Sequence, residues 1–491
     1  MTVSLKHRTV SGVKWQMLNK IAQKVLSVGT FAVLARILEP STFGLFAMAF
    51  ILIDGFHLFK AFGLDTALIQ RKENVEEAAH TAYFIVQITG FVLCGVCYLI
   101  APLAGYFFHN PDVTAITRAL GLIFVFTSFS KIPTTLLTKA MRFNTLAGIE
   151  LVGAVVNSLF AVVFALLSPT VWALVWAYLT KQLVMAVMAR RISGFRLKWQ
   201  FDWKIAKELL HFGKFMVGLS FLWYFGENIN NIVIAKILGT TMLGFFALAA
   251  NIGNAINTHF VSLLEGVMFP AYASVQHDKE EVRRIYLKTT KFVSLISMPF
   301  AVALIFLAKE LVLTLYGWKW ISIVPLLQLF GLTQLAVPVL ACSGSLFLGC
   351  GCPRNLYKLT VISLIVKVPL LILLTYKYGL IGAVVAGILA TIVTALLNLR
   401  MVYKLTSLRW CEFLPQFLPS IYCAAGMIVV ILMGRWLSAP WHVMDDVLPR
   451  LIYAGTISAL SLLGYIGCVW IFDRTAAVEV KTLLIKKRNK N

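Results

Sequence analysis

Fourteen apolar segments divide this chain, and the stretches between them are too short to fold alone. They run over about residues 13–38, 43–68, 81–101, 114–136, 147–167, 171–189, 212–238, 242–270, 289–308, 321–348, 356–376, 380–402, 413–437 and 450–472. Most come close to the roughly 20 residues needed to cross the hydrocarbon core of a bilayer. No water is available there to satisfy backbone groups, so segments of this length and pattern must be helices. The expected fold class is all-α: a polytopic integral membrane protein with about 14 transmembrane helices. Composition agrees, with 59% hydrophobic and only 13% charged residues. A soluble domain carries roughly 25% charged residues, and a disordered chain would need low hydrophobicity. The basic, polar start, Met1 to Gly12, leads into an apolar stretch interrupted by Lys20 and Lys24. No small-residue cleavage site follows, so it does not read as a signal peptide.

The formal net charge is +23. In a soluble protein that excess would point to nucleic acid. In a membrane protein, Lys and Arg collect in cytoplasmic loops and set orientation. With the N-terminus inside, the cytoplasmic loops and tails hold about 31 Lys and Arg, against about eight on the opposite side. Arg71-Lys72, Arg190-Arg191, Arg283-Arg284 and Lys486-Lys487-Arg488 all fall on the basic side. Both termini are therefore expected in the cytoplasm, and no nucleic-acid partner is needed to explain the charge. The longest loop, Arg190 to His211, alternates basic residues with Phe195, Trp199, Phe201 and Trp203. That pattern suits an amphipathic segment lying on the cytoplasmic leaflet. Several of the eight cysteines sit inside apolar runs, so no disulfide framework is implied. Cys350-Gly-Cys352 has no partner His or second Cys pair nearby, so no metal site is expected.

An internal repeat organises the chain. Ala35–Ala49 recurs as Ala235–Ala249, with seven of fifteen positions identical and Arg36/Lys236 and Ser41/Thr241 conservative. Each copy closes one apolar helix and opens the next. Spans 1–6 and 7–12 then read as two parallel copies of a six-helix unit, since an even number of spans keeps orientation. The expected layout is an N-terminal lobe over 1–200, a C-terminal lobe over 201–405, and two added helices with a basic tail over 406–491. A central cavity between lobes and alternating access by rocking follow as the default expectation.

Ionisable and amide groups inside spans are costly and usually face a cavity or a partner. Span 1 carries Gln16, Lys20, Gln23, Lys24 and Ser27 at helical spacing, one polar stripe. Two cations four residues apart repel, which argues for an anionic partner, while snorkelling to the interface is the bland alternative. Span 2 carries Asp54, His57 and Lys60, with Asp54 and His57 spaced to pair. Asp54, His57 and Glu265 are the candidates for ion coupling, with H+ or Na+ as the coupled ion. Asp65, near the span's end, reads as structural. Span 7 carries Glu227, Asn228, Asn230 and Asn231 just after Trp223 and Tyr224, and span 8 carries Asn251, Asn254, Thr258, Ser262 and Glu265. Amides beside aromatics suit sugars, and helix-to-helix hydrogen bonding is the competing role. The candidate substrate-binding set is Lys20, Lys24, Gln16, Gln23, Glu227, Asn228, Asn231, Asn251 and Asn254. No Walker A motif, paired carboxylates on an outside loop or Gly-rich phosphate cradle is present, so no catalytic residue or cofactor is assigned.

A set of short motifs in order then identifies a resemblance. Ser11-Gly12-Val13-Lys14-Trp15, Leu34-Ala35-Arg36-Ile37-Leu38, Phe43-Gly44, Ile69-Gln70-Arg71-Lys72-Glu73, Asn110-Pro111-Asp112, Phe269-Pro270-Ala271, Trp318-Lys319-Trp320 and Pro325-Leu326-Leu327-Gln328-Leu329 resemble the bacterial polysaccharide flippases of the Wzx type, the colanic acid exporter group in particular. The similarity runs over about residues 5–405. It implies membership of the multidrug/oligosaccharidyl-lipid/polysaccharide exporter superfamily and two six-helix lobes, often with two added helices. It also implies an undecaprenyl-diphosphate-linked oligosaccharide as substrate, moved from the cytoplasmic to the periplasmic leaflet of the inner membrane. Partners would be that lipid, the bilayer and the polysaccharide polymerase or export machinery, with the flippase itself a monomer. Relatives such as the lipid II flippase use arginines in the first helix. Here lysines occupy that stripe, and lysine meets phosphate as a point charge without the bidentate fork.

Two other functions compete. A cation-coupled multidrug exporter of the same superfamily would want an acidic, aromatic pocket, whereas the first lobe has more Lys than carboxylate within spans. A polytopic glycosyltransferase or O-antigen polymerase would need a sizeable outside loop. The largest outside segments, near 102–113, 309–320 and 438–449, are each about a dozen residues.

Overall fold

A computed structural model describes residues 2–57, 64–71, 73–195, 197–198, 201–255, 257–437 and 447–472. Those residues form helices joined by short turns, with no strand among them. Nine helices are long and apolar enough to cross a membrane among the described residues, or ten if one bent pair counts as a single span. Helix is present at each of the fourteen apolar segments, although fewer of them meet that length and hydropathy criterion. The chain is an all-helical membrane protein. Its contacts divide it into two compact units, Met1–Gly244 and Phe245–Asn491.

The first unit contains α1 (Thr2–Ile37), α2 (Pro40–His57), α3 (Leu64–Gln70), α4 (Val75–Phe108), α5 (Asp112–Lys139), α6 (Phe143–Leu167), α7 (Val171–Ser193) and α8 (Trp203–Gly253) as far as Gly244. Helix α4 packs along α5, α6 along α7, and α5 on α7, while α1 lies against α6 and α2 against α5. Small residues let these backbones approach, as membrane helices require. Gly90 stands where a Cβ would meet the Phe124 carbonyl oxygen at 2.8 Å. Beside it Ser128 donates to Gln87 Oε1 at 2.8 Å, a buried polar pair across the same contact. The Asn110-Pro111-Asp112 motif is the turn from α4 to α5, where the Asn110 side chain accepts from Asp112 N at 3.0 Å. The short α3 is held by α5. Lys131 pairs with Asp65 at 2.6 Å, and Lys139 donates to the terminal carbonyls of Leu68, Ile69 and Arg71, which have no partner inside α3. Asp65 thus has the structural role expected of it.

The connection from α7 to α8 differs from a strip lying freely on a leaflet. Gly194, at φ +69, ends α7 in the left-handed region that glycine adopts without strain. Phe195 and Leu197 then pack into the core cluster of Leu64, Leu68, Ala82, Tyr83 and Ile205. Lys198 pairs with Glu76 at 2.6 Å, and Arg71 with Glu208 at 3.2 Å. Only part of the aromatic strip stays outside, with Phe201 42% and Trp203 78% exposed. Trp199 lies outside the described residues. The alternation was legible in the sequence, but burial of its apolar half against α3 and α4 depends on tertiary neighbours.

Both copies of the repeated segment adopt one form, helix, break, helix. The first breaks at Leu38-Glu39 between α1 and α2. The second breaks within α8 at Gly239, the position equivalent to Glu39, where φ is 82 and ψ −171. Within the first unit the starts of the two following helices touch. A Cβ on Gly44 would collide with the Thr240 carbonyl, and one on Gly244 would collide with the Pro40 carbonyl. Position 44 meets 240 while 244 meets 40, the exchange of partners that a local two-fold axis produces.

The second unit continues from Phe245 through the end of α8, a π-helical turn (Asn257–Val261), α9 (Ser262–Ser274), α10 (Lys279–Phe306), α11 (Ala308–Leu315), a 3-10 turn (Trp318–Ile323), α12 (Val324–Thr333), α13 (Val337–Leu340), α14 (Ser343–Gly349), α15 (Pro353–Thr406), α16 (Trp410–Phe413), α17 (Leu418–Leu437) and α18 (Val447–Phe472). Asp278 caps α10 by accepting from the backbone N–H groups of Glu280 and Glu281. Helix α15 is two helices that meet at Gly379, where φ is +60. The segment expected as one span over 321–348 is broken, with Trp318–Thr333 and Val337–Gly349 bent by 49°. Pro338 lacks a backbone donor at the bend, and the Gln334 amide donates to the Gly253 carbonyl at 2.7 Å. Helices α17 and α18 pack on each other and on α10. Arg435 reaches Glu310 at 2.7 Å, Ser294 and Ser420 share a 2.6 Å hydrogen bond, and Tyr465 donates to Leu295 O at 2.9 Å.

Gly44→Ala must move a backbone rather than a side-chain tip, so we expect a loss of about 1–3 kcal/mol or more. Gly148, inside α6, has nothing within 4 Å of its Cβ position, so Gly148→Ala serves as the control and should melt like the parent. Detergent-solubilised yield and unfolding midpoint check both. Equal behaviour of the two variants would contradict the close contact at Gly44.

Candidate functional site

The first unit gathers polar side chains from five helices into an otherwise apolar bundle. The gathering begins on α2. Asp54 lies on a helix whose other inward residues, Met48, Ala49, Ile51 and Ile53, are buried and apolar. Gly55 leaves room for the Tyr224 ring, whose hydroxyl stands 3.2 Å from the Cβ position and donates to Ile51 O at 2.8 Å. One turn further along α8, the Asn228 amide hydrogen-bonds the Asp54 carboxylate. Asn228 is 9% exposed. From α7, Tyr178 lies within electrostatic range of the same carboxylate, as does Tyr224. The Tyr178 ring packs edge-on against Phe50 at 5.4 Å. Among the described residues, Asp54 thus has an amide bonded to it and two phenols nearby, all neutral.

A second cluster lies on α1, α6 and α7. Glu150 accepts from Asn19 Nδ2 at 3.2 Å and from Gln23 Nε2 at 3.4 Å. Lys181 lies within electrostatic range of Glu150, and its ammonium stands 5.7 Å from the Tyr178 ring centre. Gln182 hydrogen-bonds Tyr178. Tyr178 therefore joins the two clusters. Asn19, Gln23, Glu150, Lys181, Tyr178, Asp54 and Asn228 are thus neighbours, linked in part by hydrogen bonds and in part by electrostatic proximity. Burying such groups is tolerable only when each finds a partner, and here the partners come from different helices.

The residues expected from sequence divide as follows. Asp54 and Asn228 come together. Gln23 joins the Glu150 cluster. On α1, Lys20 is exposed and Lys24 half-buried, while the side chain of Gln16 lies outside the described residues. His57 rests against the Phe124 ring at 5.2 Å. Lys60 lies outside the described residues. Glu227 is exposed, Asn231 half-buried, and Asn230 Oδ1 is buried without a hydrogen-bond partner among the described residues. In the second unit Asn251, Asn254 and Glu265 are exposed on their helices. Thr258 and Ser262 turn their hydroxyls back onto the carbonyls of Asn254 and Thr258, at 2.9 and 2.6 Å. Among the described residues no group of three or more His, Cys, Asp or Glu is placed to hold a metal ion.

Sequence reasoning missed Asn19, Glu150 and Tyr178. A signal existed for Glu150, the single carboxylate in the segment 147–167. Asn19 carries none, since it falls beside the lysine stripe rather than on it.

Comparison with known proteins adds what geometry does not. The family described as polysaccharide biosynthesis protein matches residues 33–325. The chain is 27% identical over 406 residues to the lipopolysaccharide biosynthesis protein WzxC of Escherichia coli, covering 82% of each chain. It is 24% identical to the teichuronic acid biosynthesis protein TuaB of Bacillus subtilis, over 71% of this chain and 72% of that one. It is also 24% identical to the succinoglycan biosynthesis transport protein ExoT of Rhizobium meliloti, over 68% of each. Among solved structures, the lipid II flippase MurJ in an inward closed conformation superposes with a TM-score of 0.72 at 15% identity, over 94% of this chain and 99% of that one. An inward-facing multidrug resistance MATE family transporter of the MOP superfamily gives 0.64 at 18% identity, over 78% and 96%. At these identities the two structures show the fold.

Glu150→Leu leaves the Asn19 and Gln23 amides without their acceptor, at about 1–3 kcal/mol for each buried group left unpaired. The unfolding midpoint in detergent should fall by several degrees. Adding Asn19→Leu should recover part of that loss, because removing both partners costs less than removing one. An unchanged midpoint in Glu150→Leu would show that the cluster contributes nothing to stability.

Proposed function

Since this chain belongs to the polysaccharide biosynthesis protein family, we propose that it is a flippase for undecaprenyl-diphosphate-linked oligosaccharide repeat units. It carries them from the cytoplasmic to the periplasmic leaflet of the bacterial inner membrane, with both termini in the cytoplasm. The observation that carries this reading is the likeness to three surface-polysaccharide biosynthesis proteins over two thirds or more of the chain. A fold shared with the lipid II flippase supports it. So does the chemistry of the first unit. The lipid-linked diphosphate is anionic, and Lys20 and Lys24 stand one turn apart on α1. Sugar hydroxyls find amides at Gln23, Asn228 and Asn231.

Transport proceeds by alternating access, without a catalytic residue. Coupling to a gradient of H+ or Na+ belongs to Asp54. Its neighbours Asn228, Tyr178 and Tyr224 are neutral, so its charge can be taken up or released without breaking an ion pair among the described residues. In the second unit, Asn251, Asn254 and Glu265 lie on the segment equivalent to α2 and are the substrate-binding and ion-coupling candidates there.

The test is complementation. Deleting the native gene should abolish extracellular polysaccharide and leave lipid-linked repeat units on the cytoplasmic leaflet. The wild-type chain should rescue both, and Lys24→Ala, expressed and inserted to the same level, should rescue neither. Normal export by Lys24→Ala would remove the lysine from the site. A deletion strain that accumulates no intermediate but becomes sensitive to cationic drugs would replace the flippase with a multidrug exporter. In proteoliposomes Asp54→Asn should lose its response to an imposed ion gradient, and an unaltered response would take Asp54 out of the coupling.

A further inference from the structure

The second unit holds a groove that the transport reading does not use. It lies where α15 ends. Ser407, at φ 55, caps α15 in the left-handed region and turns the chain back toward α16. The returning segment is firmly seated. Leu408 and Phe413 are 5% and 4% exposed and belong to the core cluster that includes Tyr286, Leu359 and Val402. The Phe413 ring stacks on Tyr286 at 6.4 Å with 12° between planes, and Glu412 pairs with Arg283 at 3.5 Å. Between this segment and the last turns of α15 a cavity of about 220 Å³ stays open. Its walls are Leu396, Leu399, Leu408 and Phe413, and its rim carries Arg400, Arg409 and Tyr403.

Three observations define the occupant. First, the two guanidiniums have no ion pair or hydrogen bond among the described residues, and the neighbouring carboxylate, Glu412, is engaged by Arg283. Second, the groove continues into an apolar track on α15. Leu396, Ile392 and Leu389, at helical spacing, are 59%, 47% and 41% exposed, and Tyr403 is 56% exposed at the mouth. Third, this end of the unit carries a basic excess. Arg283 and Arg284 are paired with Glu280, Glu412 and Glu281, and Arg400, Lys404 and Arg409 stand beside them. By the positive-inside rule that end faces the cytoplasm. The volume corresponds to about seven waters at roughly 30 Å³ each, enough for a phosphodiester and not for a whole lipid. Basic pockets between membrane helices at the cytoplasmic surface suit anionic headgroups.

We propose that the groove between the end of α15 and the Leu408–Phe413 segment binds an anionic phospholipid of the cytoplasmic leaflet. The headgroup phosphate sits between Arg400 and Arg409, and an acyl chain runs along Leu396, Ile392 and Leu389. Arginine suits this position, because its planar fork engages a phosphodiester through two hydrogen bonds. The rival role for Arg400 is to offset the partial negative charge at the end of α15. That role confers no preference among lipids.

The experiment uses the purified, delipidated full-length chain in neutral detergent, titrated with phosphatidylglycerol or phosphatidylcholine, with bound lipid counted by native mass spectrometry. Phosphatidylglycerol should bind at least tenfold more tightly than phosphatidylcholine. Arg400→Gln and Arg409→Gln should each weaken it about fivefold and together about thirtyfold, from the attraction of one basic residue near an anionic surface. Leu396→Trp, which fills the groove and keeps both charges, should weaken it as well. Equal binding of the two lipids, or equal phosphatidylglycerol binding by the parent and the double Gln variant, would overturn the proposal. So would full binding by Leu396→Trp, which would reduce the effect to surface charge. Complete displacement of the lipid by inorganic phosphate would overturn it in favour of a free-anion site. The absence of any change in unfolding midpoint between the apo variants and the apo parent verifies that folding is intact.

Discussion

The rest of this structure follows from the backbone's need for hydrogen bonds where no water can supply them. Helices answer that need along each span, and so the fold class is readable from runs of apolar residues alone. The same need reappears wherever a helix is interrupted, and there the protein uses side chains. Lys139 serves the carbonyls that end α3, and Gln334 serves the Gly253 carbonyl where the span near Pro338 bends. Each gives a backbone carbonyl a partner from another helix.

Close helix contact is the second consequence. Helices in a membrane gain little from the hydrophobic effect against one another, so they rely on packing and small residues. The repeated segment shows what that demands. Gly44 and Gly244 sit at matching positions of the two copies, and each faces the backbone of the other copy's first turn. The sequence match was readable from seven shared positions. The reason two of its glycines matter was not, because it rests on reciprocal contact between segments 200 residues apart in the numbering.

The polar site was partly legible for a related reason. Asp54 and Asn228 each stood out as polar groups in apolar helices, but nothing in one dimension joined span 2 to span 7. Helical periodicity relates residues on one helix and is silent about which helix faces which. Asn19 fell outside the lysine stripe by one position, yet it is Asn19 and Gln23, not the lysines, that hydrogen-bond Glu150. Tyr178 carried no signal at all, because a tyrosine in an apolar span is ordinary, and its part comes only from touching both clusters. The connection from α7 to α8 was likewise legible only in part. Its aromatic and basic alternation was read as a surface strip, and Phe195 and Leu197, half-buried, pack against a core cluster from α3 and α4.

The two carboxylates of the polar site, Asp54 and Glu150, differ in their neighbours. Glu150 receives two amide hydrogen bonds and stands within range of the Lys181 ammonium. Its partners join α1, α6 and α7. Asp54 is bonded by the amide of Asn228 and approached by two phenols. An amide and a phenol can bond a carboxylate, a carboxylic acid or a carboxylate with a bound cation, since each carries both donor and acceptor atoms. A group that must alternate between charged and neutralised states during a transport cycle needs neighbours that tolerate both. Under the proposed coupling Asp54 is the carboxylate that changes state, while Glu150 joins α1, α6 and α7.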